Sequence, residues 1–413
     1  MDTNSLTWGI AFCATAGVIL RPFRLPEAIW AVAGALALVL LGLMPWPEAL
    51  RAAAKGTDVY LFLTGMMLLS ELARREGLFD HVAALAVRGA RGSPRRLFVL
   101  VYAVGVIVTV FLSNDATAVV LTPAVYAAAK AADTEPLPYL LICAFIANAA
   151  SFVLPISNPA NLVLFASHMP PLPEWVRRFA LPSILAIAAT FIALRLTQRT
   201  ALRATMRAHV DVPALSWTGK LSAAGIGLTA LVLLTASAFD IQLGLPTFVA
   251  GVLTAAIVLI LKREAPWHIA AGVSWAVLPL VAGLFILVES LDRTGVIAAI
   301  SRLLQHAAQH SETATAWGAG ALIALACNLM NNLPAGLIAA SAVATAQVPP
   351  RITDALLIGV DLGPNLSVTG SLATILWLVA IRREGEDVSA WRFLKLGAIV
   401  MPPALLLALA ATS

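Results

Sequence analysis

Charge is scarce in this chain. Of its 413 residues only 12% are Asp, Glu, Lys or Arg, against about a quarter in ordinary soluble domains, while 60% are hydrophobic. Too few charges remain to cover a water-facing surface, so most of the surface must face lipid. Cysteine is scarcer still. Cys13, Cys143 and Cys327 stand far apart inside apolar runs, which excludes a disulfide framework and a CxxC metal site, and no other metal-ligand pattern is read here. No GxxxxGK[ST] phosphate loop is present, so the chain has no ATP-hydrolysing motif of its own. A basic region ahead of the apolar stretch Leu6–Leu20 is also missing, and another span follows at once, so that stretch reads as a first transmembrane helix rather than a cleaved signal. The formal charge of +5 does not point to nucleic acid, because the basic residues sit in short loops between apolar runs.

Those runs are what the chain does have. A span needs roughly 17–25 mostly apolar residues. Ten segments qualify: 6–22, 28–47, 58–73, 137–168, 176–197, 219–237, 243–261, 274–290, 352–381 and 391–411. Two further stretches, 97–131 and 314–348, are broken in the middle by Ser113-Asn114-Asp115 and by Asn331-Asn332. With arms of about 16 residues they read as re-entrant hairpins; the alternative is a pair of short spans in each. The fold class expected is therefore an all-α polytopic membrane protein with about ten transmembrane helices and two re-entrant hairpins. Arginine and lysine are more frequent in the loops that become cytoplasmic if the N-terminus is periplasmic, among them Arg74, Arg75, Arg95, Arg96, Arg199, Arg203, Lys262, Arg382 and Arg383. Both termini are accordingly expected on the periplasmic side.

An internal repeat organises the chain. Gly65, Glu71, Gly77 and Asn114 recur as Gly283, Glu289, Gly295 and Asn332, each 218 positions later. Five spans per half is an odd number, so the halves must run in opposite directions across the membrane, the inverted-repeat plan of many secondary transporters. The expected division is 1–198 for the first repeat, with hairpin 97–131 and broken helix 137–168; a cytoplasmic linker, 199–218; and 219–413 for the second repeat, with hairpin 314–348 and broken helix 352–381.

Four polar segments interrupt the apolar pattern: Ser113-Asn114-Asp115-Ala116-Thr117; Ser157-Asn158-Pro159-Ala160-Asn161, with Asn148 upstream; Asn331-Asn332-Leu333-Pro334; and Asp361-Leu362-Gly363-Pro364-Asn365 through Thr369-Gly370-Ser371. Pro159 and Pro364 cannot donate to the preceding turn, so the helix opens there and frees main-chain amides and carbonyls. Half-helix N-termini add partial positive charge, and Asn, Ser and Thr add short donors and acceptors. The combination suits a small polyhydroxylated or anionic solute.

These motifs resemble the arsenite efflux permeases of the ion transporter superfamily. Ser-Asn-Asp in a hairpin tip, Ser-Asn-Pro-Ala-Asn in a broken helix, Asn-Asn-Leu-Pro in a second tip, and Asp-Leu-Gly-Pro-Asn with Gly-Ser-Leu-Ala-Thr after it carry the likeness, over nearly the whole chain. The resemblance implies export of arsenite and antimonite in exchange for protons across a bacterial inner membrane. It also implies a cytosolic ATPase subunit as a partner of some relatives, and no cofactor. Substrate-binding candidates are Ser113, Asn114, Thr117, Asn148, Ser157, Asn158, Asn161, Asn331, Asn332, Asn365, Thr369 and Ser371. No arginine lies within the four motifs, which fits an uncharged trihydroxide. A sodium- or proton-coupled small-anion transporter is the alternative.

Asp115 and Asp361 are the proton-coupling candidates, since a carboxylate deep in a membrane is costly and usually functional. The competing reading of each is a helix-capping carboxylate. Glu71 and Glu289, by their symmetry, read as anchors at helix ends. Cys327, four residues before the second tip, reads as a small buried apolar residue. His306 and His310 read as the solvated face of an amphipathic helix over 296–310, matched by a basic one over 79–94.

Overall fold

A computed structural model describes residues 3–166, 169–203, 205–207 and 210–412, and these form helices and turns without a strand. The first half contains α1 (Thr3–Leu20), α2 (Glu27–Leu40), α3 (Trp46–Ala54), α4 (Thr57–Arg75), α5 (Leu78–Ala90), α6 (Pro94–Phe111), α7 (Asn114–Ala116), α8 (Thr122–Ala131), α9 (Leu137–Ala149), α10 (Pro159–Leu164) and α11 (Leu172–Thr197). The second contains α12 (Trp217–Ala238), α13 (Gly244–Lys262), α14 (Trp267–Ala270), α15 (Val277–Arg293), α16 (Val296–His310), α17 (Glu312–Met330), α18 (Asn332–Ala346), α19 (Pro350–Leu362), α20 (Leu372–Arg383) and α21 (Ala390–Ala410). Seven of them, α1, α6, α11, α12, α13, α17 and α21, are long and apolar enough to cross a bilayer unaided. Large apolar side chains such as Phe12, Leu40, Ile260 and Leu329 stand exposed on their outer faces, as a lipid-facing surface requires. The chain is an all-α polytopic membrane protein.

The element order of the first half recurs in the second. Each amphipathic helix, α5 and α16, starts at a glycine with left-handed backbone, Gly77 at φ 71° and Gly295 at φ 83°. Each is followed by a serine N-cap, Ser93 for α6 and Ser311 for α17, whose side chains accept from Arg96 N and Ala314 N. Past each tip the chain returns to the same amphipathic helix: α5 packs against both α6 and α8, and α16 against both α17 and α18. Each polar break is thus the bend of a helical hairpin.

Small residues let the principal helices touch main chain to main chain. A Cβ on Gly65 of α4 would lie 2.3 Å from the carbonyl oxygen of Thr247 in α13, and one on Gly251 of α13 would lie 2.6 Å from that of Gly65. Between α17 and α19, a Cβ on Gly359 would lie 2.3 Å from the carbonyl oxygen of Gly320. Close approach of this kind replaces the hydrophobic effect, which lipid does not supply between helices.

Several boundaries differ from the sequence reading. The span expected over 28–47 ends as α2 at Leu40, because Gly42, at φ 71°, and Pro45 stop it, and a separate α3 begins at Trp46. The first hairpin starts at Pro94 rather than residue 97, and its inner arm carries a π-helical turn at Thr117–Leu121. The broken helix expected over 137–168 consists of α9, a 3-10 turn at Pro155–Ser157 and α10; residues 167 and 168 lie outside the described residues, as do 204, 208 and 209 of the expected linker. The one expected over 352–381 consists of α19, 3-10 turns at Gly363–Asn365 and Val368–Gly370, and α20.

Candidate functional site

Four helix N-termini meet inside the molecule, those of α7, α10, α18 and α20. Each is capped by a side chain from a polar motif. Ser113 Oγ accepts from Ala116 N at 3.2 Å, Asn158 Oδ1 from Ala160 N at 3.0 Å, Asn331 Oδ1 from Leu333 N at 3.4 Å, and Ser371 Oγ from Thr374 N at 3.1 Å. Asn331 reaches its position through φ 74° and ψ 153°, a backbone region that side-chain-bearing residues rarely occupy. Asn114, Asp115, Asn158, Pro159, Asn332, Leu333 and Leu372 surround one small chamber of about 10 Å³, roughly the room one water needs. Leu63 of α4 and Val277 of α15 close its side. The N-terminal ends bring positive partial charge to this point without a cationic side chain on the chamber wall.

A vestibule of about 400 Å³ continues from the chamber, sharing Leu63, Asp115, Pro159 and Val277 with it, and reaches Arg74 and Arg383. Ser113 also lines it. A separate cleft of about 240 Å³, lined by Lys55, Asp58, Leu162 and Phe165, lies beyond the other end of α10. The six residues Pro159–Leu164 thus stand between two open spaces.

The remaining motif residues turn away from the chamber and hold it together. Asn148, at the end of α9, donates to Asn365 Oδ1 at 3.0 Å and Thr374 Oγ1 at 3.2 Å, and accepts from Ser371 Oγ at 3.2 Å. Asp361, at the end of α19, accepts from Asn158 Nδ2 at 2.8 Å; its Oδ2 is buried with no partner. These contacts cross. Asn148 and Asp361 are 213 positions apart, and so are the caps Asn158 and Ser371. The last turn of a helix in one half therefore holds the helix cap of the other half, twice. Among the described residues neither Asp115 nor Asp361 accepts a backbone N–H, so neither serves as a helix cap.

Thr117 pairs with Thr109 at 2.8 Å, and Ser157 donates to the Val110 carbonyl at 3.0 Å, binding the first tip to the broken helix. Asn161 Nδ2 spans the carbonyls of Ser151, Leu154 and Pro155, while its Oδ1 is buried without a partner. Asn365 donates to the Phe145 carbonyl at 3.0 Å and Thr369 to the Asn328 carbonyl at 3.0 Å. Asn328 and Thr374 belong to this framework and were not among the sequence candidates. Asn328 donates to the Gly363 carbonyl at 3.0 Å and accepts from Ser367 at 2.7 Å. An asparagine inside the last turn of the apolar run before the Asn331 bend would have been the signal.

The glutamates sit apart from the chamber. Glu71 accepts two bonds from Arg74, at 2.6 and 2.8 Å, on the vestibule wall, and Glu289 accepts from Lys55 Nζ at 2.5 Å. Cys327 is fully buried and directs its thiol at the Val360 carbonyl, 3.8 Å away, rather than at the chamber. Among the described residues no three His, Cys, Asp or Glu side chains gather as metal ligands. His306 and His310 meet edge to face, ring centroids 4.5 Å apart, on the exposed face of α16.

The chain is similar to several known proteins. The arsenical pump membrane protein of Yersinia enterocolitica is 29% identical over 366 residues, covering 84% of this chain and 83% of its own. That of Escherichia coli is 26% identical over 416 residues, covering 98% and 93%. An uncharacterized transporter of Mycobacterium tuberculosis is 26% identical over 422 residues, covering 97% and 96%. The solved structure of the YdaH transporter of Alcanivorax borkumensis superposes with a TM-score of 0.54 at 17% identity, covering 88% of this chain and 86% of that one, which establishes a shared fold. The resemblance to arsenical pump membrane proteins drawn from the motifs therefore holds, and these relatives are transporters rather than enzymes. The profile described as citrate transporter (CitMHS) matches residues 15–380, and the chain belongs to that family of membrane transporters.

Proposed function

We propose that this protein is a secondary active transporter that exports arsenite and antimonite from the cytoplasm in exchange for protons, by alternating access. The observation that carries the reading is the meeting of four capped helix N-termini around one chamber whose wall has amides and a carboxylate but no arginine. Arsenite near neutral pH is a small neutral trihydroxide. Its oxygens can accept from the Asn158 and Asn332 side-chain amides, and a hydroxyl can donate to the Asp115 carboxylate. Protonation of Asp115 would turn one of its oxygens into a donor and weaken that bond, so cargo and proton compete for one group. Asp361 acts indirectly: a proton on its free oxygen alters the grip on Asn158 and hence on the α10 cap.

Ligand sites are thus Asn114, Asp115, Asn158 and Asn332, with Ser113 at the vestibule edge. Thr117, Asn148, Ser157, Asn161, Asn331, Asn365, Thr369 and Ser371 form the frame. With both termini periplasmic, the vestibule edged by Arg74 and Arg383 opens to the cytoplasm, a loading state. The two halves, divided at 199–218, are inverted repeats in the inner membrane, and a cytosolic ATPase subunit would dock on the same arginine-rich side.

A second reading, a proton- or sodium-coupled anion carrier, is favoured by the family's citrate description and by the two arginines along the vestibule. The chamber has room for about one water, so its tips must part for either cargo, and a tricarboxylate needs much the wider opening. Arsenite and citrate accumulation in everted vesicles, with and without an imposed proton gradient, separates the two. Arsenite uptake driven by the gradient supports export. Citrate uptake that arsenite does not inhibit would transfer the site to the anion reading.

A further inference from the structure

Away from the transport path, a cleft of about 320 Å³ lies where the C-terminal end of α11 meets the N-terminal end of α6. Arg95 of α6, Arg195 of α11, and Arg199 and Arg203 of the turn that follows all line it. Among the described residues none of these four has a carboxylate within ion-pair distance, whereas Arg74, Arg75, Arg207 and Arg382 each have one. The positive end of the α6 helix adds to the same potential. The rest of the wall is apolar. The Arg195 guanidinium rests over the Phe191 ring at 5.7 Å, and Leu196, 60% exposed, faces outward beside it.

Four uncompensated cations at the end of a membrane-spanning helix, open on one side to the acyl region, form a site for phosphate attached to hydrocarbon. We propose that this cleft binds the headgroup of an anionic phospholipid, its phosphate held by the arginines and its chains lying along Phe191 and Leu196. A soluble anion would gain nothing from the apolar wall, and a neutral phospholipid brings a cation that the arginines repel.

The full chain, stripped of lipid in detergent, is titrated with phosphatidylglycerol, phosphatidylcholine or inorganic phosphate, and bound species are counted by native mass spectrometry. One phosphatidylglycerol is expected to bind at concentrations where the other two do not. Arg195→Gln/Arg199→Gln/Arg203→Gln should weaken it by about tenfold or more. A control with equal charge removed from the same side, Lys220→Gln/Arg392→Gln/Lys395→Gln, should change it less than about twofold. If the triple variant does not fold, Arg199→Gln/Arg203→Gln, which leaves α11 intact, is read in the same assay with the same expectation. Equal losses in variant and control, or phosphatidylcholine binding as tightly, overturns the proposal. Displacement of the lipid by millimolar inorganic phosphate reassigns the cleft to a free anion and overturns it equally.

Discussion

Asn148 and Asn332 carry the same side chain and are buried alike, yet their surroundings assign them opposite duties. Asn148 makes three side-chain bonds to Asn365, Thr374 and Ser371, while Asn332 faces the chamber. Asn148→Ala strands buried partners and should cost roughly 1–3 kcal/mol, seen as a lower unfolding temperature in detergent and less protein in the membrane. Asn332→Ala should leave the unfolding temperature within about a degree and raise the arsenite concentration for half-maximal uptake several-fold. Equal stability losses in both would remove the division into lining and frame. For the carboxylates, Asp115→Asn should abolish gradient-driven uptake while the protein still folds. Asp361→Asn, which keeps an acceptor for Asn158, should lower the maximal rate more than the affinity. Unimpaired gradient-driven uptake in both variants would end their proposed role. The sequence marks all these residues because proline and asparagine have no business in the middle of a lipid-spanning run. It does not say which of them faces the cargo, since the partners that turn Asn148 and Asp361 into framework come from the other half of the chain, more than two hundred positions away.

Among whole helices, the contact between α4 and α13 admits the sharpest test. Gly65→Ala drives a methyl into the Thr247 carbonyl and forces the two helices apart, at about 1–3 kcal/mol by the usual cost of overpacking. Gly227→Ala on α12, where nothing lies within 4 Å, should be neutral or slightly stabilising, and thermal unfolding of the two variants side by side decides the matter. The helices themselves were largely legible: an apolar run bounded by arginine and proline has few alternatives in a bilayer. The breaks inside 137–168 and 352–381 were legible too, from Pro159 and Pro364. Hidden from view were α3, α14 and the π turn at Thr117–Leu121. The first two are too short for a search by apolar span length to mark, and the third depends on how the tip packs rather than on any residue's preference.

Considered as one body, the protein presents an open vestibule on one side of the four tips and a smaller cleft on the other. In a cysteine-free background, Ser70→Cys on the vestibule wall should react with a membrane-impermeant thiol reagent in everted vesicles and resist it in intact cells. Protection of that thiol by arsenite would place the cargo in the same passage; reaction from the periplasmic side alone would reverse the assigned orientation. The recurrence of element order was signalled by spacing, since 218 positions separate four matched residues. The crossed caps at 213 were not, because a shift of five residues hides them from any single offset.

The partition between the two open spaces is one and a half turns of helix, the six residues of α10, or about 9 Å of rise. With water in both spaces, the membrane voltage would fall almost entirely across that stretch rather than over the full bilayer. Under the proposed exchange the cargo is neutral and feels none of it. The proton would cross nearly the whole of it over that short stretch, gaining about 2.3 kcal/mol per 100 mV. Each cycle is then electrogenic, and an energised membrane pulls on the short wall at the very place where the passage must open.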